Sequence, residues 1–272
     1  MALVQMNFNS EYLKGNHEIS IILPDRPWET SSKEFYASGK KYPVLWLLHG
    51  TFGDHTDWLR KTNIELYACE KNLIVVMPSA QNSNYLNWPG FACGFDMWDY
   101  LQKELMPLVY NWFPASSKRE DNYLCGLSMG GRGALQYAAA MPESFSAVAV
   151  LSSCACDPRL PNSAGPDVKR YENLVNSAGG LEAYLKSPAN VWDKLPELAK
   201  SGRLPRLYFA SGKDDFLFEQ YLTFKQYAAS IGLEAVFEEF DGYGHEWRFW
   251  DMSLQRALEF FDITQEKGGN PY

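Results

Sequence analysis

Residues 126–130, Gly126-Leu127-Ser128-Met129-Gly130, constrain this chain of 272 residues more than any other stretch. A serine between two glycines at this spacing fits a sharp turn that joins a strand to a helix. The turn lifts one hydroxyl out of the end of a sheet. A Cβ at either glycine would strike the neighbouring strand or helix. The first N–H of the following helix, that of Met129, then points at negative charge developing beside the hydroxyl. Five such residues also fit an ordinary turn, so the flanks decide. Residues 122–125 read as a short buried strand. Gly131, Gly133, Ala134 and Ala138-Ala139-Ala140 read as a small-residue helix that can lie close to a sheet, and Pro142 ends it. Residues 145–151 read as the next strand. Strand, turn, helix and strand make Ser128 a candidate nucleophile.

The alternation extends along the chain. Residues 2–8 and 17–23 carry strand patterning, and their closeness predicts an antiparallel start. Residues 25–42 read as loop. Val44–Leu48 and residues 73–77 are continuous apolar runs, as in strands buried on both faces. Residues 58–71 have helical spacing. Trp98, Leu101, Leu105, Leu108, Val109 and Trp112 mark an amphipathic helix that Pro107 should bend or split. Residues 206–212 and 234–240 read as strands, and 216–231 and 247–261 as helices. This pattern predicts an α/β fold: a mostly parallel central sheet, antiparallel N-terminal strands and helices on both faces. The length fits one domain over 1–272. Residues 157–203, with helical pieces at 168–177 and 180–186, read as an insertion over the active site. The stretch beginning at Gly268 reads as a frayed tail.

Composition excludes several classes. The net charge is −8 and no basic stripe is visible, so no nucleic-acid partner is expected. No apolar run is long enough to span a membrane, and the first residues do not resemble a secretory leader. The five cysteines are odd in number and irregularly spaced, which fits reduced thiols and a cytoplasmic protein. Cys154 and Cys156 are too close for a comfortable disulfide. Cys125 reads as a small buried hydrophobe. The oligomeric state stays open, a homo-oligomer being compatible with the sequence.

An elbow serine needs a base, and the base needs an orienting carboxylate. Of the four histidines, His245 alone follows Ser128, as the chain order serine, acid, histidine demands. Its glycine-bearing approach, Asp241-Gly-Tyr-Gly-His245, suits a loop that carries an imidazole over the sheet edge. The acid should follow a strand between the two, where Asp214 and Asp215 compete. Asp215 precedes the apolar Phe216-Leu217 and is the choice; Asp241 is a weaker third. A second oxyanion donor beside Met129 is expected from His49-Gly50-Thr51-Phe52-Gly53, with the Thr51 N–H preferred and Phe52 in reserve. His49 reads as structural. His55, near Asp54 and Asp57, is weak evidence for a metal, and no metal or cofactor is expected. Trp88 and Trp98 belong to an aromatic cluster that could line a substrate cleft, although core packing explains most such residues.

These motifs together resemble the Putative esterase family, which includes tributyrin esterases, S-formylglutathione hydrolase (esterase D) and mycolyltransferases. The resemblance rests on Leu47-Leu48-His49-Gly50 with the polar loop ending in Asp57-Trp58, on 126–131, on Gly212-Lys-Asp-Asp-Phe-Leu217, and on His245-Glu-Trp247-Arg-Phe-Trp250-Asp251. It covers about residues 5–262 and is closest to the bacterial tributyrin-esterase branch. It implies an α/β-hydrolase fold, hydrolysis of short-chain acyl esters of small molecules, catalytic roles for Ser128, Asp215 and His245, and oxyanion roles for Thr51 and Met129. The pair Asp214-Asp215 departs from the Glu-Asp frequent in relatives, and 157–203 varies, so acyl and alcohol preferences do not carry over. Alternatives are a carbohydrate acetyl or feruloyl esterase and an S-formylglutathione thioesterase. The thioesterase would need cations for the peptide carboxylates; Lys213, Arg248 and Arg132 are available, and each reads as a surface charge.

Overall fold

The computed structural model describes residues 2–160 and 168–263. The strands are β1 (Ala2–Ser10), β2 (Gly15–Leu23), β3 (Val44–Leu48), β4 (Ile74–Pro78), β5 (Asn87–Trp88), β6 (Phe95–Asp96), β7 (Asn122–Leu127), β8 (Ala147–Leu151), β9 (Arg206–Gly212) and β10 (Val236–Phe240). Eight form one sheet in the order β1-β2-β4-β3-β7-β8-β9-β10, and β5 pairs only with β6. β2 runs antiparallel to β1 and β4. Every pair from β4 to β10 is parallel. The expected antiparallel start and parallel centre are both present.

The sequence pattern explains this layering. All five β3 residues are fully buried, and their side chains alternate between two cores. Val44, Trp46 and Leu48 join the core on one face, and Leu45 and Leu47 the core on the other. β1, at the sheet edge, instead alternates exposed and half-buried residues. The helix Met129–Ala140 packs close to β3, β7 and β8 because its inward face is glycine and alanine.

Several local expectations need correction. Residues 25–42 are not all loop: Ser32–Ala37 is helical, and Ser31 and Glu34 bond each other's backbone N–H in a capping box. The helix expected over 58–71 is two, Asp57–Lys61 and Ile64–Glu70. Thr62 breaks it by turning extended while its hydroxyl donates to the Trp58 carbonyl. Before Pro107 the chain takes a wider π-helical turn over Tyr100–Leu105. Proline offers no N–H, and its ring crowds the carbonyl four residues back. The segment after β8 holds Val168–Ser177 and Leu181–Lys186, and also a helix not expected from sequence, Leu195–Ser201. Leu174, Tyr184 and Ala189 pack against Leu86, and Trp192 stacks on Tyr227 with ring centroids 3.7 Å apart. Residues 161–167 of the expected insertion and the tail from Gly268 lie outside the described residues. Among the described residues, no helix is long and apolar enough to cross a membrane.

Candidate active site

The C-terminal ends of parallel strands collect the chemistry. The loop with Thr51 leaves β3, Ser128 follows β7, Asp215 follows β9 and His245 follows β10. Open α/β sheets place their ligands at this edge. β3 and β7 are neighbours in register, Leu48 opposite Gly126. β9 and β10 are also neighbours, Gly212 opposite Phe240.

Ser128 adopts φ 51° and ψ −116°, a left-handed backbone that side chains avoid. Its N–H donates to the Leu151 carbonyl at 2.8 Å, and its own carbonyl accepts from Arg132 N–H at 3.1 Å. The flanking glycines are required. A Cβ on Gly126 would overlap the Gly130 carbonyl, and one on Gly130 the carbonyls of Leu48 and His49. Met129 is the first helical residue, so its N–H has no acceptor within the helix.

Residues 117 positions apart meet here. His245 Nε2 lies 3.0 Å from Ser128 Oγ. His245 Nδ1 lies 2.9 Å and 3.1 Å from the two Asp215 oxygens. A carboxylate only accepts, so Nδ1 carries the proton and Nε2 is left to accept from the serine hydroxyl. The Asp215 side chain is fully buried and also accepts from Leu217 N–H at 2.8 Å. Its competitors turn elsewhere. Asp214 is exposed, and Asp241 pairs with Lys213 at 2.9 Å.

Aromatic rings hold the imidazole on two sides. Phe216 packs on it with centroids 4.5 Å apart, and Trp250 meets it edge-on at 5.0 Å. Trp250 Nε1–H donates to Ser152 Oγ at 3.0 Å, fixing the indole. Trp247 bears on both Trp250 and Trp58, and Trp58 Nε1–H donates to the Leu48 carbonyl at 3.2 Å. Asp251 accepts from the Asn63 N–H and the Tyr67 hydroxyl. Residues 245–251 thus form a clasp between the imidazole and the segment behind the β3 loop.

That loop is fixed from beneath. His49 is buried; its Nε2 accepts from Ala80 N–H at 2.7 Å, so Nδ1–H donates to the Gly50 carbonyl at 2.6 Å. Burial pushes the His49 pKa down and keeps the ring neutral. Phe52 N–H donates to Asn82 Oδ1 at 2.9 Å, which ties the loop at that residue. Nothing in the sequence marks Asn82 for this role. His55 bonds Ser20 Oγ at 2.7 Å.

Trp98 is nearly buried and stacks flat on Tyr137 at 4.3 Å. Trp88 is half-buried and donates from Nε1 to the Ser83 carbonyl. Both line a cleft of about 270 Å³ with Leu86, Pro89, Ala178 and Pro188, in whose walls Ser128, Asp215 and His245 take no part. Arg248 is exposed, as expected. Arg132 is not a surface charge: it is half-buried and bonds Cys156 Sγ at 3.7 Å. Cys125 is fully buried, and burial pushes its pKa up.

Fold and site define a serine hydrolase of the α/β-hydrolase fold that acts on carboxylic esters. Residues 10–261 match the model of the family described as Putative esterase, and the chain belongs to that family. An acetyl esterase of Caldicellulosiruptor saccharolyticus is 31% identical over 98% of this chain and 100% of its own length. FphF, a fluorophosphonate-binding serine hydrolase of Staphylococcus aureus, superposes with a TM-score of 0.78 at 29% identity, covering 96% of this chain and 98% of its own. The S-formylglutathione hydrolase FrmB of the same species superposes with a TM-score of 0.74 at 29% identity, with the same coverage.

Proposed function

We propose that the chain is a cytoplasmic carboxylesterase that hydrolyses short-chain acyl esters, acetyl esters foremost, of small molecules. The carrying observation is the relay from Ser128 Oγ through His245 to Asp215, with contacts of 3.0 Å and 2.9 Å. Ser128 Oγ attacks the ester carbonyl while its proton passes to His245 Nε2. Asp215 stabilises the imidazolium. The N–H groups of Met129 and Thr51 donate to the oxyanion, each worth about 3 kcal/mol of barrier. His245 then protonates the leaving alcohol, and an acyl-enzyme remains. A water molecule gives its proton to the same Nε2, attacks the acyl carbonyl and frees the acid and Ser128.

The acetyl preference draws on the 31% identical acetyl esterase, matched from end to end. Of the three cations a glutathione ester would draw on, Arg248 stays exposed and available. Lys213 is already paired with Asp241, and Arg132 faces Cys156. The test is Ser128→Ala with p-nitrophenyl esters from acetate to octanoate. Hydrolysis should vanish in the variant, and wild-type kcat/KM should fall beyond butyrate. Near-native turnover by the variant would remove Ser128 from the mechanism, and a maximum at octanoate would overturn the short-chain preference.

A further inference from the structure

Arg132 lies one helical turn beyond Ser128, and its guanidinium points inward rather than to solvent. Its hydrogen-bond partner is Cys156 Sγ at 3.7 Å. Among the described residues, no ion pair joins it to a carboxylate. Tyr171 and Tyr184 face the same charge. The Tyr171 hydroxyl is buried without a hydrogen-bond partner among the described residues, and Tyr184 donates to the Ala189 carbonyl. Neutral hydroxyls cannot balance a guanidinium, which keeps its proton at any ordinary pH. A cation drawn out of water needs an anion beside it. Cys156 is the neighbour able to become one, by losing its thiol proton.

The surroundings favour that ionisation twice. Cys154 S–H donates to the Cys156 sulfur, and Arg132 supplies the opposing charge. The hydrogen bond first, then the arginine, bring the Cys156 pKa down to about 7 against the upward push of burial. The same hydrogen bond, helped by burial, pushes Cys154 well up, so Cys154 stays a thiol. Cys156 itself is half-buried, not sealed.

We propose that Cys156 is a covalent modification site, a thiolate held by Arg132 and Cys154 that reacts with small disulfides and alkylating electrophiles. With a low-molecular-weight disulfide, the Cys156 sulfur bonds to one sulfur, the S–S bond breaks, and the other half leaves as a thiolate carrying the electron pair. No further oxidant is consumed. Cys154 remains protonated, so it does not displace the adduct, and the mixed disulfide persists. Its formation strips Arg132 of its anion. Cys156 makes no hydrogen bond to Ser128, Asp215 or His245 among the described residues, and the inference stands whatever ester the enzyme prefers.

The test is iodoacetamide alkylation of the full chain, followed across pH by peptide mass spectrometry. Cys93 is exposed, so Cys93→Ser serves as the background. Cys156 should be alkylated first, with a rate half-maximal near pH 7. Arg132→Gln should slow alkylation at pH 7 at least tenfold and move the half-point upward, while Arg132→Lys restores part of the rate. If Arg132→Gln does not fold, Cys154→Ala gives the second reading, with a slower rate and a higher half-point. Hydrolysis of p-nitrophenyl acetate by Cys156→Ser should persist, showing an intact fold. An unmodified Cys156, or a half-point at the ordinary thiol value of about 8.5, would overturn the proposal. So would rates indifferent to both partners.

Discussion

Asp215→Asn tests the relay most sharply, because the geometry dictates how the amide must sit. One carboxylate oxygen of Asp215 accepts from Leu217 N–H at 2.8 Å. The amide oxygen of an asparagine must take that position, since an NH₂ there would face another donor. The NH₂ then occupies the other position, 2.9 Å from His245 Nδ1. Two N–H donors repel at that distance, and the amide oxygen, 3.1 Å from the same nitrogen and already engaged by Leu217 N–H, is the weaker partner, so the ring shifts its proton to Nε2. Nε2 lies 3.0 Å from Ser128 Oγ and would now donate instead of accepting. The serine loses its base although every atom is nearly in place. The wrong tautomer costs about 10⁴ in kcat, or about 5.5 kcal/mol of barrier. Asp214→Asn, on an exposed neighbour, should stay within about twofold. Initial rates with p-nitrophenyl acetate, read beside circular dichroism, separate chemistry from folding. An Asp215→Asn enzyme within tenfold of wild type would refute the tautomer argument, and a collapse in Asp214→Asn instead would mean that the acid has been misassigned.

Asn82 is exposed and holds Phe52 N–H, so Asn82→Ala should loosen the oxyanion loop without unfolding it. One such bond contributes about 1 kcal/mol, so kcat should fall roughly five- to tenfold with melting temperature nearly unchanged; an unaltered kcat would show that the loop needs no such tether. Burial lowers the pKa of His17 from 6.5 to about 4. The unfolded chain therefore takes up a proton below pH 6.5 that the folded chain refuses until about pH 4, and stability falls as pH drops through that window. The loss from this residue is at most about 3 kcal/mol. Urea unfolding at pH 7 and pH 5 should show it, and His17→Gln should flatten the difference; an equally steep loss in that variant would assign the effect to other groups.

The sequence says most where local chemistry has few solutions. The elbow needs glycines because backbone atoms of β3 and of the helix crowd both positions. His245 was identifiable because it alone follows the serine. Asp215 and Asp214 could be ranked because an apolar pair follows the former and draws it inward. What escaped depended on partners distant in the chain. Asn82 and Phe52 meet across 30 residues, and no pattern links them. Arg132 resembles any helical surface charge until Cys156 is seen beside it. Trp98 and Trp88 could not be told apart by type, yet the first lies flat on Tyr137 and the second is half-buried. The helix Ser32–Ala37 was legible after all, since Ser31 and Glu34 have the spacing of a reciprocal cap.

The row of indoles from Trp58 through Trp247 to Trp250 ends against the imidazole at one extremity and grips the Leu48 carbonyl at the other. The imidazole of His245 and the turn after β3 therefore hang from a single beam, though nearly two hundred residues separate their origins. Damage anywhere along that beam should disturb both at once. Heat inactivation and the change in tryptophan emission should then trace one curve, and a substitution that moves the ring at 245 should also shift the turn after β3.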